Sequence, residues 1–163
     1  MARLLVVGGG CRALALAREL APEGHALRMV TRSEARRPEI EAVGAECVIA
    51  DPDVVGTLRY ALDNVTLLLW LLGTASGDPE RVAALHDSRW EMMLWRTIDS
   101  TVRGVVYEAA GTVDGAALQR GREVGERMAS ENEIPLRFID ADPADRPAWL
   151  RGAHAAIASL LVR

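Results

Sequence analysis

The sequence contains no lysine: all nineteen of its basic residues are arginine. A lysine Schiff base, a P-loop lysine and a Tyr-Lys dehydrogenase pair are therefore excluded within the chain. Cysteine is almost as scarce. Cys11 and Cys47 lie far apart, show neither CxxC nor metal-ligand spacing, and read as two reduced thiols of a cytoplasmic protein. Long apolar runs are missing as well. Leu67 to Leu72 is the longest and falls far short of a bilayer span, and a strand pattern starts within three residues of Met1, so neither a membrane nor an export signal is expected. Nor is charge of one sign concentrated. The formal net charge is −4 and arginine is scattered among acids, which argues against nucleic acid as a partner.

The chain does have length and hydrophobic periodicity. Its 163 residues, half of them apolar, suit one domain spanning 1–163 with a substantial core. Leu4 to Val7 form a short apolar run without polar alternation, as expected of a parallel strand buried on both faces. A glycine turn follows in which Gly8, Gly10 and Ala13 fit G-x-G-x-x-G/A. A helical pattern with Leu14, Leu16, Ala17 and Leu20 on one face comes next, and Ala26 to Thr31 make a second strand. At such a turn a dinucleotide pyrophosphate approaches the backbone closely and takes hydrogen bonds from free N–H groups at the helix start. A side chain at Gly8 or Gly10 would obstruct that approach, and small Ala13 lets helix and strand pack closely. The plain structural alternative is a glycine turn that only joins strand to helix.

The rest of the chain continues the alternation. Ser33 caps a helix that passes Ile40 and ends at Gly44. Strand three is Glu46 to Ala50, helix three Asp53 to Leu62, and strand four Val65 to Leu71. Asp78-Pro79 marks a helix start, and His86-Asp87 a break before a longer helix, Ser88 to Asp99. Arg103 to Ala109 reads as strand five, Asp114 to Asn132 as a polar helix facing water, Leu136 to Ile139 as strand six, and Ala148 to Val162 as a last helix. Six strands alternating with helices imply an α/β, three-layer, doubly wound parallel sheet of Rossmann type.

The stretches VVGGGCRALALARELAPEGHALRMVTRS and GAECVIADPDVVGTLRYALDNVTLLLWLLGTASG resemble the cofactor-binding half of atypical short-chain dehydrogenase/reductases, the epimerase-like and NmrA-like NAD(P)-binding proteins. The resemblance implies that Gly8, Gly9, Gly10, Cys11 and Arg12 surround the pyrophosphate and that Arg32 meets the adenosine ribose. It places Asp51 and Pro52 beside the adenine, and Leu72 and Gly73 along the nicotinamide side. Two departures stand out. The usual GxxGxxG is reduced to GxGxxA, and no YxxxK exists, since Asn64 and Gly111 stand four residues after Tyr60 and Tyr107.

Cofactor choice turns on the end of strand two, where NAD recognition calls for an acid and NADP for a basic group. Arg32, flanked by the hydroxyls of Thr31 and Ser33, favours NADP; Glu34 remains a less well placed ribose acceptor for NAD. The candidates for acid–base work are Tyr107, Glu108 and His86. Each also has a structural reading: Tyr107 as a packed strand residue, Glu108 as an exposed or capping acid, His86 as part of a helix break. His25 and His154 have no partners suggesting a metal site. Arg89 to Asp99 carries more apolar surface than one core-facing stripe requires, with Met92 and Trp95 outside it; the segment reads either as the face of a homodimer or as cover for the sheet and the cofactor crevice. Two functions fit: an NADP-dependent oxidoreductase or epimerase-like enzyme on a small molecule, or a non-catalytic redox sensor acting through a protein partner.

Overall fold

The computed structural model describes residues 1–162. Twelve elements alternate along the chain: β1 (Arg3–Gly8), α1 (Gly10–Leu20), β2 (Ala26–Thr31), α2 (Arg37–Ala42), β3 (Glu46–Ile49), β4 (Leu67–Leu71), α3 (Pro79–Leu85), α4 (Ser88–Ile98), β5 (Gly104–Glu108), α5 (Gly115–Asn132), β6 (Leu136–Ile139) and α6 (Arg146–Leu161). The strands form one parallel sheet in the order β3-β2-β1-β4-β5-β6, a three-layer Rossmann fold. The order reverses between β1 and β4, which pair from Leu4 with Leu67 to Gly8 with Leu71.

Strand alternation divides the core into two. Leu4, Val6, Leu67, Leu69 and Val106 point to one face, under Leu16, Ala17 and Leu20 of α1 and Trp149 and Ile157 of α6. Leu5, Val7, Leu68, Trp70 and Tyr107 point to the other, under Trp90 and Met93 of α4 and Val124 and Met128 of α5. A strand covered on both faces has no polar side, which is why β1, β4 and β5 read as continuous apolar runs.

Two segments differ from the sequence expectation. Residues 53–62 are not an α-helix but two 3-10 turns, Val55–Leu58 and Tyr60–Leu62. The buried positions Val55, Leu58 and Ala61 recur every third residue, the 3-10 period, and the Thr57 hydroxyl ties the turn to the carbonyls of Asp51 and Val54. Helix α5 is not polar all round. Leu118, Gly121, Val124, Gly125 and Met128 form a buried face, in which three apolar side chains alternate with two glycines.

Those glycines admit an aromatic stack. Trp90 lies 5.5 Å from Trp70 and 5.2 Å from Tyr107, ring centre to ring centre, and its indole N–H donates to the Gly121 carbonyl at 3.1 Å. A methyl group at Gly121 would overlap the Tyr107 hydroxyl. Gly121→Ala is therefore expected to lower the unfolding free energy by about 1–3 kcal/mol in urea titration, an overpacking effect. Gly115→Ala, in open space at the start of the same helix, should cause no loss.

Candidate functional site

A cleft of about 770 Å³ opens at the carboxyl ends of the strands where their order reverses. Its centre is the turn between β1 and α1. Gly8, Gly9 and Gly10 all take positive φ, at 84°, 91° and 52°. A Cβ at Gly8 would overlap the Leu71 carbonyl, and one at Gly9 would sit 2.7 Å from the Cβ of Ala13, so the third small residue of the motif is a packing requirement. Helix α1 has no side-chain cap and no acid in its first turn, in contrast to α3 and α6, which Asp78 and Asp145 cap. Its first main-chain bond runs from Ala13 N–H to the Gly9 carbonyl, leaving the N–H groups of Gly10, Cys11 and Arg12 without a helical acceptor. A bare, positive helix start at a glycine turn suits an anion.

The expected residues separate into those that line the cleft and those that do not. Gly8, Gly9, Gly10, Thr31, Arg32, Ser33, Asp51, Pro52 and Leu72 line it. Arg32 is exposed and makes no hydrogen bond or ion pair among the described residues. Glu34, the alternative ribose acceptor, is instead held by Arg37 through bonds of 2.8 and 3.0 Å, which pull its carboxyl below the usual range. Thr31 accepts from the Ser33 N–H at 3.2 Å and so also shapes the turn after β2. Sequence reasoning missed Arg36, Asp53 and Arg81 in the cleft wall. Asp53 and Arg81 pair at 3.1 Å between the loop after β3 and the first turn of α3, a contact with no local signal.

Cys11, Arg12, Ala13, Gly73, His86, Tyr107 and Glu108 lie outside the lining. Cys11 is exposed on the first turn of α1. Arg12 is buried and turned away from the turn's N–H groups: its Nε and Nη2 donate to Glu108 at 2.8 and 2.6 Å, and its Nη1 to the Thr74 hydroxyl at 3.0 Å. Glu108 is not an exposed or capping acid, because it lies fully buried and also accepts from Gly73 N–H at 2.8 Å and Trp149 Nε1 at 2.7 Å. Gly73 is a packing glycine, since a Cβ there would overlap the Ala110 carbonyl.

Tyr107 and His86 sit beneath the cleft floor, both fully buried. His86 Nε2 lies 2.9 Å from the Leu72 carbonyl, which can only accept, so Nε2 carries the proton and Nδ1 accepts from the Tyr107 hydroxyl at 2.6 Å. Burial pushes the Tyr107 phenol above its ordinary value and holds the imidazole below its own, partly offset by the Leu72 bond and Glu108. Among the described residues no group of three or more His, Cys, Asp or Glu could hold a metal ion, and no helix is long and apolar enough to cross a membrane.

No protein-family model and no curated protein matches the chain. Solved structures match most of it. The NAD complex of UDP-glucuronic acid 4-epimerase from Bacillus cereus is 11% identical and aligns with a TM-score of 0.68, covering 83% of this chain and 54% of that one. UDP-glucose 4-epimerase from Thermotoga maritima, bound to UDP-glucose, is 14% identical with a TM-score of 0.68, covering 83% and 54%. Triphenylmethane reductase from Citrobacter sp. with NADP(H) is 17% identical with a TM-score of 0.62, covering 84% and 48%. The chain thus spans about half the length of these structures. At such identities the likeness is one of fold, and the fold is the Rossmann type.

The neutral imidazole sets a pH dependence. Because folding lowers the His86 pKa, its contribution is complete above the unfolded value of about 6.5 and is lost as pH falls through and below it. Unfolding free energy should therefore decline below about pH 6.5, by at most about 1.4 kcal/mol per pH unit for this proton. His86→Gln should flatten that limb in urea titrations between pH 5 and 8, and an unchanged slope would refute the assignment.

Proposed function

We propose that this protein binds a nicotinamide dinucleotide, NADP in preference to NAD, and works as an oxidoreductase or epimerase-like enzyme on a small molecule. The observation that carries this reading is the run of three positive-φ glycines leading into an uncapped helix, set at the strand-order reversal beside a cleft of about 770 Å³. Gly8 to Gly10 and the start of α1 would hold the pyrophosphate, with Asp51 and Pro52 at the adenine. Arg32 supports the phosphorylated cofactor, because it lines the cleft with no hydrogen-bond or ion-pair partner among the described residues while Glu34 is occupied by Arg37. The bound cofactor supplies hydride transfer, and the chain supplies position and electrostatics.

One observation favours the non-catalytic alternative, a redox sensor whose dinucleotide state biases a protein partner. Tyr107, Glu108 and His86 all bond inward, so none of the acid–base candidates presents a polar atom to the cleft. Turnover of aldehydes, ketones or quinones with NADPH that disappears on Gly10→Trp decides for the enzyme. Tight binding without turnover decides for the sensor.

The cofactor assignment is tested by thermal unfolding with NADPH, NADP, NADH and NAD. A ligand at about 100 times its dissociation constant stabilises the fold by about 2.7 kcal/mol, and the shift is expected with the phosphorylated pair. Arg32→Ala should weaken NADPH by roughly ten- to a hundredfold, the worth of a lost charge-assisted bond, and leave NADH unchanged. Equal losses for both would remove the phosphate-reading role.

Helix α4 carries a further part of the reading. Met92, Trp95 and Ile98 are exposed at three-residue intervals, and a second copy of the chain is the proposed cover, in a cytoplasmic setting that keeps Cys11 and Cys47 reduced. Light scattering should give twice the chain mass for the wild type and the monomer mass for Trp95→Glu. A wild-type monomer at high concentration would refute it.

A further inference from the structure

We infer that the Thr74 hydroxyl donates a hydrogen bond to the nicotinamide half of the dinucleotide and that Arg12, from behind it, aims that bond. The inference rests on the dinucleotide reading and names the residue that contacts the second half of the ligand.

Thr74 follows β4 by three residues and lines the cleft. The glycine turn at the end of β1 places the pyrophosphate, and Arg32 draws the adenosine end toward β2. Strand β4 flanks β1 on the opposite side from β2, so the other half of the ligand extends over the end of β4, where Thr74 stands.

The direction of the hydroxyl follows from its partner. Arg12 Nη1 donates to Thr74 Oγ1 at 3.0 Å, and a guanidinium has no acceptor to offer in return. Thr74 Oγ1 finds no acceptor among the described residues, so its hydrogen is available to the cleft it lines. Arg12 itself cannot drift. Its Nε and Nη2 are fixed on Glu108 at 2.8 and 2.6 Å, and that carboxylate is held in turn by the Gly73 N–H and the Trp149 indole at 2.8 and 2.7 Å. A hydroxyl that accepts from a fixed cation is polarised into a stronger donor. The carboxamide and ribose oxygens of the nicotinamide half are acceptors of the matching kind. Thr74 is thus the ligand-contacting group, and Arg12 is a positioning residue acting through it.

Two ligands separate this inference from the reading beneath it: NADPH, and adenosine 2′,5′-bisphosphate, which lacks the nicotinamide half. Calorimetric titration of Thr74→Val should show NADPH weakened about tenfold, one hydrogen bond's worth, with the bisphosphate unchanged, and Thr74→Ser should restore NADPH binding. Unchanged NADPH affinity in Thr74→Val, or an equal loss for both ligands, overturns the inference. Wild-type protein that binds neither ligand overturns the dinucleotide reading itself, a distinguishable result. The Arg12 part has its own readout. Arg12→Lys should weaken NADPH several-fold in the wild-type background and not at all in the Thr74→Val background; equal losses in both overturn the relay.

Discussion

The ion pair between Arg12 and Glu108 is the contact on which the carboxyl edge of the sheet depends. It joins the first turn of α1 to the last residue of β5, and through Trp149, Gly73 and Thr74 it recruits α6 and the loop after β4. Burying two charges is unfavourable unless geometry and further hydrogen bonds complete them, and here they do. The carboxylate accepts from three separate residues and the guanidinium donates from three nitrogens. Either charge alone would be stranded, at about 3–5 kcal/mol, so the pair holds its four segments in one arrangement.

The sheet was legible in the sequence because its signals are local. Apolar runs and capping residues mark β1 to β6, and the end of β2 and both ends of β6 fall where the residues indicated. Misreadings arise where the decisive contact leaves no periodic signal. Val55, Leu58 and Ala61 satisfy a helical pattern loosely, and only the hydrogen bonds of Asp51 and Thr57 turn that stretch into 3-10 geometry. Helix α5 looks polar because Gly121 and Gly125 interrupt its buried stripe of Leu118, Val124 and Met128, and their part in it registers only when Tyr107 and Trp90 are seen against them.

The cleft shows the same division. The motif and the end of β2 point to the glycines and Arg32, and the family resemblance to Asp51; all of them line the cleft. Arg12 and Glu108 could not be placed, because the two lie 96 residues apart and a lone arginine beside a glycine turn looks like a phosphate ligand. Charge partners across a sheet leave no periodic trace. Beneath the cleft, His86 holds the Leu72 carbonyl and is itself held by the Tyr107 hydroxyl, which fixes the residue whose side chain lies against Gly8.

The aromatic arrangement also gives the chain an unusual optical character. Trp70, Trp90 and Trp149 are wholly buried, whereas Trp95 is 54% exposed. Trp70 and Trp90 stack within one cluster, Trp149 sits alone against the Arg12 guanidinium, and Trp95 faces solvent. The four indoles are thus sorted into three environments, two of them buried and one at the surface. A soluble quencher reaches one of them, and the emission that survives it reports on the interior, with Trp149 posted at the node that ties the edge of the cleft to the last helix.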